Sequence, residues 1–155
     1  MILGLGLGLP FGGAAPLPRT LGRAVMAAAR ADLVSTGHLS WLGSGLAPRG
    51  TPKPYASAAF DRSARPWDAL GAIRTEGQVT VQIFAPTPDD AEDLALLLGE
   101  VLAAAWAAGR LRSTRDRNPT WWWAGDISLI QDPDPDAGGS PVWIGTRIFE
   151  FALTT

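Results

Sequence analysis

Few side chains in this sequence could do chemistry, and none stands in a pattern that predicts an active site. His38 is the only histidine and there is no cysteine, which excludes thiolate catalysis, disulfide bonds and cysteine metal sites. No G-x-S-x-G motif supplies a serine nucleophile that His38 could activate. The sequence therefore predicts a protein that is not an enzyme and needs no metal or other cofactor.

Three aspartates, Asp132, Asp134 and Asp136, have the spacing that opens a calcium-binding loop. An EF-hand loop has glycine at its sixth position and a bidentate glutamate at its twelfth. This chain has Ala137 and Trp143 there, so calcium binding of that type is not expected. We interpret the segment as a solvated, turn-rich loop between two strands.

Four arginines precede three consecutive tryptophans, an arrangement that could bind single-stranded nucleic acid. The net charge of −2 gives the chain no general attraction to phosphate, so we favour a solvated loop followed by a strand. In a strand, Trp122 points away from Trp121 and Trp123. One of these two faces can lie in the core, and the other predicts a subunit interface, because tryptophan is enriched at interface centres.

A strand and a long helix form the clearest structural pattern. Val79, Val81 and Ile83 alternate with polar residues, as in a half-buried strand. Thr87 and Pro88 then predict a helix that starts there and runs to about Gly109. Its apolar arc is wide for a small domain and includes Leu94, Leu97, Leu98, Val101, Leu102 and Ala105. We therefore expect Leu97 and Leu102 to contact another subunit.

The sequence signals for the other helix and strands are weaker. A helix is predicted from Pro18 to Val34, a loop over 35–54, a short strand over 55–60 and a polar connection over 61–76. Residues 122–131 and 142–153 read as the two strands of a hairpin. The predicted fold is α+β, with element order α-β-β-α-β-β, a mostly antiparallel sheet and two helices packed on one face. A single domain would span residues 17–155.

The last predicted strand is apolar on both faces. Val142, Ile144 and Ile148 share one face, and Trp143, Phe149, Phe151 and Leu153 share the other. A strand of this kind lies centrally in a covered sheet or at a subunit contact. We expect Phe149 and Phe151 to contribute to a subunit interface.

Residues 1–16 begin with four leucines that alternate with glycines: Leu3, Leu5, Leu7 and Leu9. The apolar run ends at Pro10, too short to span a membrane, and no basic residue precedes Arg19 as a secretory signal would require. Two interpretations stay open. The segment is a flexible leader, or it is an arm that docks along a neighbouring subunit by strand addition.

From residue 18 to residue 153 the chain resembles the tail-completion, or tail-terminator, proteins of long-tailed bacteriophages and gene transfer agents. The matching features are the N-terminal helix, Thr51, Pro52, Pro54 and Tyr55 before a strand, EGQVTVQIFAPTPDDAEDLALLLGEVL, and the acidic hairpin before TRIFEF. The leucine-glycine leader is not part of that pattern, and the loop holding Trp41 to Pro48 looks longer than usual.

The resemblance implies a structural virion protein of the head-tail neck, assembled in the host cytoplasm. It implies a homo-oligomeric ring, typically a hexamer, that caps the tail tube and joins it to the head-side connector or stopper protein. The leader would then be an arm between rings, and Asp132, Asp134 and Asp136 would face a lumen through which DNA passes with at most weak, non-specific contact. No membrane contact is expected.

Two alternatives stay open. The first is another head-tail connector subunit, an adaptor or a stopper. The second is a monomeric α+β domain that binds a small molecule in a pocket lined by tryptophans.

Overall fold

Threonine caps set the starts of both helices. The structure, a computed structural model, describes residues 16–67, 72–133 and 141–154. Helix α1 spans Leu21–Leu33, and the Thr20 hydroxyl accepts a hydrogen bond from the Arg23 N–H at 3.3 Å. Helix α2 spans Pro88–Ala107, and the Thr87 hydroxyl accepts one from the Asp90 N–H at 3.1 Å. The predicted cap of α2 is confirmed, and α1 starts three residues later than predicted.

In the described part of the chain, five strands form one sheet: β1 (Leu42–Ser44), β2 (Tyr55–Trp67), β3 (Ala72–Ala85), β4 (Trp121–Pro133) and β5 (Pro141–Thr154). Their order across the sheet is β1-β2-β3-β5-β4. Strand β1 lies parallel to β2, and all other neighbours are antiparallel. The α+β prediction and the β4–β5 hairpin are confirmed.

Two stretches differ from the sequence prediction. Within the segment 61–76, predicted as a polar connection, residues 61–67 continue β2 and residues 72–76 begin β3. The register of the two strands runs from Tyr55↔Phe84 to Trp67↔Ala72. The predicted loop over 35–54 contains β1, which pairs with β2 over only three residues. In both stretches strand pairing overrides a weak local preference, as is common for β-structure.

Both helices cover the same face of the sheet. Residues on that face alternate along the strands and join α1 and α2 in one buried cluster, which includes Ala56, Ala58, Val79, Val81, Ile83, Trp122, Phe149, Phe151 and Leu153. The predicted packing of two helices on one face is therefore confirmed. Among residues 16–67, 72–133 and 141–154, no helix covers the opposite face of the sheet.

An arginine, Arg147, lies between the sheet and α2. Its Nε–H donates to the Gly125 carbonyl at 2.9 Å, and its Nη1–H donates to the Ala95 carbonyl at 2.8 Å. The guanidinium carbon lies 5.6 Å from the centre of the Phe149 ring. A Cβ on Gly99 would come within 2.1 Å of Nη1, so a larger residue there would have to displace the guanidinium. Arg147 thus links α2 to the bulge in β4 between Ala124 and Ile127.

Candidate assembly surface

The face of the sheet opposite the helices is the candidate functional surface; we call it the open face. Strand register places its residues in cross-strand rows. At one end the row is Tyr55, Phe84, Ile144 and Ile130, and at the other it is Glu76, Ala152 and Trp121. The rings of Tyr55 and Phe84 stack with their centres 4.9 Å apart. Both ends of the open face therefore carry large apolar side chains.

Four apolar side chains of the open face are substantially exposed. Trp121 is 44% exposed, Trp123 49%, Ile130 57% and Ile148 37%. All four lie on β4 or β5, the strands at one side of the sheet. Exposed apolar residues that are scattered singly are ordinary, whereas a group on one face is typical of a protein-protein contact.

Polar groups separate the apolar ends. The row next to Tyr55 and Phe84 holds Ser57, Gln82, Thr146 and Ser128, and the row that contains Trp123 holds Asp61, Gln78 and Glu150. Tryptophans beside hydroxyls, amides and carboxylates give the open face the mixed chemistry of an interface, with apolar anchors and hydrogen-bonding groups around them.

The predicted interface residues separate into two groups. Trp121 and Trp123 lie on the open face, while Trp122 points the other way and is 7% exposed, as the alternation predicted. Leu102, Phe149 and Phe151 lie in the subunit's own core, at 0%, 0% and 3% exposure. Leu97 is partly buried against that core. The subunit's own packing thus accounts for the apolar character of these last four residues.

Other predicted site residues lie at the surface or outside the described part of the chain. Asp132 is exposed at the end of β4, and Asp134 and Asp136 lie outside the described residues. The leucines of the leader, Leu3, Leu5, Leu7 and Leu9, also lie outside them.

Ile130 and Ile148 were not predicted as interface residues. The sequence places Ile148 on one face of the last strand, but alternation alone cannot say which face the helices cover. The signal lies in β3, where polar Gln78, Thr80 and Gln82 mark the solvent side. Because Thr80 pairs with Ile148, Ile148 of β5 lies on the same solvent side of the sheet.

A groove of about 530 Å³ lies at the start of α1, between that helix and β2. Its apolar lining includes Leu21, Met26, Phe60 and Phe151, and charged residues at its margin include Arg23, Asp61, Arg62 and Arg115. We call it the β2-edge groove. Phe60 is 37% exposed in it, so the groove presents an apolar surface to solvent.

An ion pair holds one side of this groove. The Arg62 guanidinium donates two hydrogen bonds to the Asp116 carboxylate, both at 3.1 Å, and the Leu21 N–H points to the same carboxylate at 3.4 Å. Burial of Asp116 raises its pKa, but the hydrogen bonds and charge of Arg62, the Leu21 N–H and the charge of Arg115 outweigh that effect. The pKa of Asp116 therefore lies below its ordinary value, and the carboxylate stays ionised.

A second groove, of about 640 Å³, lies between the open face and the loop over residues 45–53. Its lining includes Arg49, Lys53, Tyr55, Gln82 and Phe84. Leu46, at the tip of the same loop, is 97% exposed. This groove belongs to the same corner of the open face as the Tyr55–Phe84 stack.

Within the described ranges, no three histidine, cysteine, aspartate or glutamate side chains come together to form a metal site. No helix in the same part of the chain is long and apolar enough to cross a membrane.

Comparison with known proteins identifies a structural neighbour. No protein-family profile matches the chain, and no curated protein matches it. Among solved structures, a chain from the virion of a native gene transfer agent particle is similar, with a TM-score of 0.64 and 15% sequence identity. The alignment covers 86% of this chain and 93% of that chain. At this identity the similarity shows that the two chains share a fold.

Proposed function

We propose that this protein is a structural subunit of a virion or gene transfer agent particle, and more specifically a tail-terminator or tail-completion protein. The observation that carries the proposal is the fold shared over most of both chains with a chain of a gene transfer agent virion. The more specific role rests on the resemblance of residues 18–153 to tail-completion proteins.

The open face supports a role in assembly. Trp121 and Trp123 place two large side chains in solvent on one strand, beside the exposed Ile148 and Ile130. Interfaces concentrate their binding energy in a few such aromatic side chains. In the proposed ring, the open face of one copy packs against the next copy, with these tryptophans as anchors.

The proposed mechanism is geometric and requires no catalysis. A closed ring, of six copies by the resemblance, ends growth of the tail tube and presents its opposite surface to the head-side connector or stopper protein. Heterologous contacts close into a ring when the rotation between copies allows it. The ring would be a component of the particle neck, assembled in the host cytoplasm.

The acidic loop has a proposed role in the same ring. If Asp132, Asp134 and Asp136 face the lumen, their charges repel DNA phosphates and keep the passing DNA from adhering to the wall. The partner list is then the tail tube, the head-side connector and other copies of this chain, with weak, non-specific DNA contact at most.

Two other roles compete with this one. An adaptor or stopper subunit of the same neck would also form a ring and would share the open-face contact. A small-molecule-binding monomer would instead use one of the grooves, and the 640 Å³ groove beside Tyr55 and Phe84 is the larger of the two.

The experiment that separates these roles is deletion of the gene in a strain that makes the particles, followed by electron microscopy. A tail terminator predicts tails of uncontrolled length that do not join heads. An adaptor or stopper predicts normal-length tails beside tailless heads, and a small-molecule-binding protein predicts normal particles. Either of the last two results would contradict the terminator proposal.

A further inference from the structure

We infer that the leucine-glycine leader of one copy docks in the β2-edge groove of a neighbouring copy and adds a strand along β2. The inference extends the proposed function, because it identifies a connection between copies. It stands on three observations: an edge of the sheet, the groove beside that edge, and the pattern of the leader.

The edge is the outer side of β2. Strand β1 pairs with β2 only from Ala56 to Ala58. From Ala59 to Trp67 the outer side of β2 faces no further strand of the described sheet. Such an edge presents backbone donors and acceptors to an incoming strand.

The groove lies beside that edge on the helix-covered side. On β2, Phe60 alternates with Ala59 and Asp61 and shares the face of the buried Ala58. Leu21 and Met26 of α1 and Phe151 of β5 line the same groove. A strand that paired with β2 here would place alternate side chains into this apolar space and the remaining ones toward the open face.

The leader has the matching pattern. In an extended chain, Leu3, Leu5, Leu7 and Leu9 lie on one side, and the glycines between them lie on the other. From Leu3 to Leu9 the segment spans about 20 Å at about 3.3 Å per residue, shorter than the stretch of β2 available. The sequence from Met1 to Gly13 contains no charged side chain, so docking would bury no charged side chain of the leader.

The length of chain that precedes the described residues allows the leader to reach a neighbouring copy. The Pro18 carbonyl accepts a hydrogen bond from the Thr114 N–H at 2.9 Å. Leu17 precedes this proline, and a residue before proline prefers extended backbone. The chain therefore leaves the domain extended beside Thr114, and thirteen further residues give Leu3 a reach of about 43 Å from Pro16. That reach is sufficient to enter the groove of an adjacent subunit.

Disulfide trapping tests the contact directly, because the chain contains no cysteine. One full-length chain carries Leu7→Cys, and a second, with a mass tag, carries Ser44→Cys in the exposed lining of the groove. Mild oxidation of the mixture should give a disulfide-linked pair of the two chains. The matched control is Thr36→Cys, exposed beyond the end of α1, which should give no such pair.

Two outcomes would overturn the inference. One is a mixture in which Leu7→Cys and Ser44→Cys form no more linked pairs than the control does. The other is a chain carrying both substitutions that closes the disulfide within itself at high dilution, which would assign the leader to its own groove.

A pair of leader variants tests the orientation of the leucines. Changing Leu5 and Leu7 to serine should weaken association between copies by about tenfold or more, because two buried side chains lose their apolar contacts. Changing Gly6 and Gly8 to serine should leave association unchanged, because those positions face away from the groove. Equal effects of the two pairs would contradict the proposed orientation.

These results can be separated from failure of the proposed function. If the serine variants of the leader assemble normally while variants of Trp121 and Trp123 do not, the leader contact is wrong and the assembly role stands. If particles form normally without the gene, the terminator role is wrong whatever the disulfide experiment shows.

Discussion

Among single residues, Trp121, Trp122 and Trp123 could be assigned to the two faces of their strand from the sequence alone. Alternation correctly separated Trp122 from Trp121 and Trp123, because strand geometry fixes which neighbours share a face. The hydrogen-bond partners of Arg147 could not be predicted from the sequence. Its partners are the backbone carbonyls of Ala95 and Gly125, which are distant in sequence and have no side-chain signature.

Two other features of the tryptophans lead to a prediction. The indole N–H of Trp106 donates to the Pro119 carbonyl at 2.7 Å. The indole nitrogen of Trp122 is buried and has no hydrogen-bond partner among the described residues, although its ring stacks on Phe149 and Phe151. An unsatisfied buried donor offsets part of the stability that burial of the ring provides.

We therefore expect Trp106→Phe to destabilise the fold more than Trp122→Phe does. Both changes remove similar volume, but only the first removes a hydrogen bond and leaves a carbonyl without its donor. The difference in the free energy of unfolding should be about 1 kcal/mol or more, measured by urea denaturation. A larger loss for Trp122→Phe would show that ring volume, and not the hydrogen bond, decides the result.

At the scale of elements, the helices were predicted well because their signals are local. Thr20 and Thr87 cap their own helices, and Gly37 and Gly109 follow the helix ends with φ of 84° and 72°. The far half of the β2–β3 hairpin and strand β1 were missed because their signals are not local. They exist through pairing with other strands, and alanine, arginine and serine in these stretches give weak strand preference.

The contact between α2 and β5 leads to a prediction at this scale. Alanine is favoured over glycine inside a helix by about 1 kcal/mol, so Gly99→Ala would ordinarily stabilise α2. Here the new Cβ meets the Arg147 guanidinium. We expect Gly99→Ala to lower the free energy of unfolding by about 1–2 kcal/mol, because it displaces a guanidinium that holds two hydrogen bonds.

The control for this prediction is the same substitution in an Arg147→Met background. Without the guanidinium, Gly99→Ala should be neutral or stabilising, and the two effects should be strongly non-additive. Additive losses in the double-mutant cycle would mean that Gly99 is required for some reason other than Arg147.

At the scale of the whole molecule, the sequence overestimated how much of the apolar surface belongs to a neighbour. Leu102, Phe149 and Phe151 are accounted for by the core between α2 and the sheet. A charge at Leu102 should therefore unfold the subunit instead of only separating copies. The exposed apolar side chains that remain for a neighbour lie on the open face. Alternation in the sequence alone could not distinguish this face from the covered one.

We propose that the open face joins copies of the protein into a ring, and the mass of the purified full-length protein in solution tests this proposal. Sedimentation velocity at micromolar concentration should show a closed oligomer. The combined change of Trp121 and Trp123 to serine should reduce it to a folded single chain with an unchanged circular dichroism spectrum. The matched control, Leu96→Ser, removes an exposed leucine of α2 and should leave the oligomer intact. A single chain for the unaltered protein, or an unchanged oligomer in the tryptophan variant, would contradict assembly through the open face.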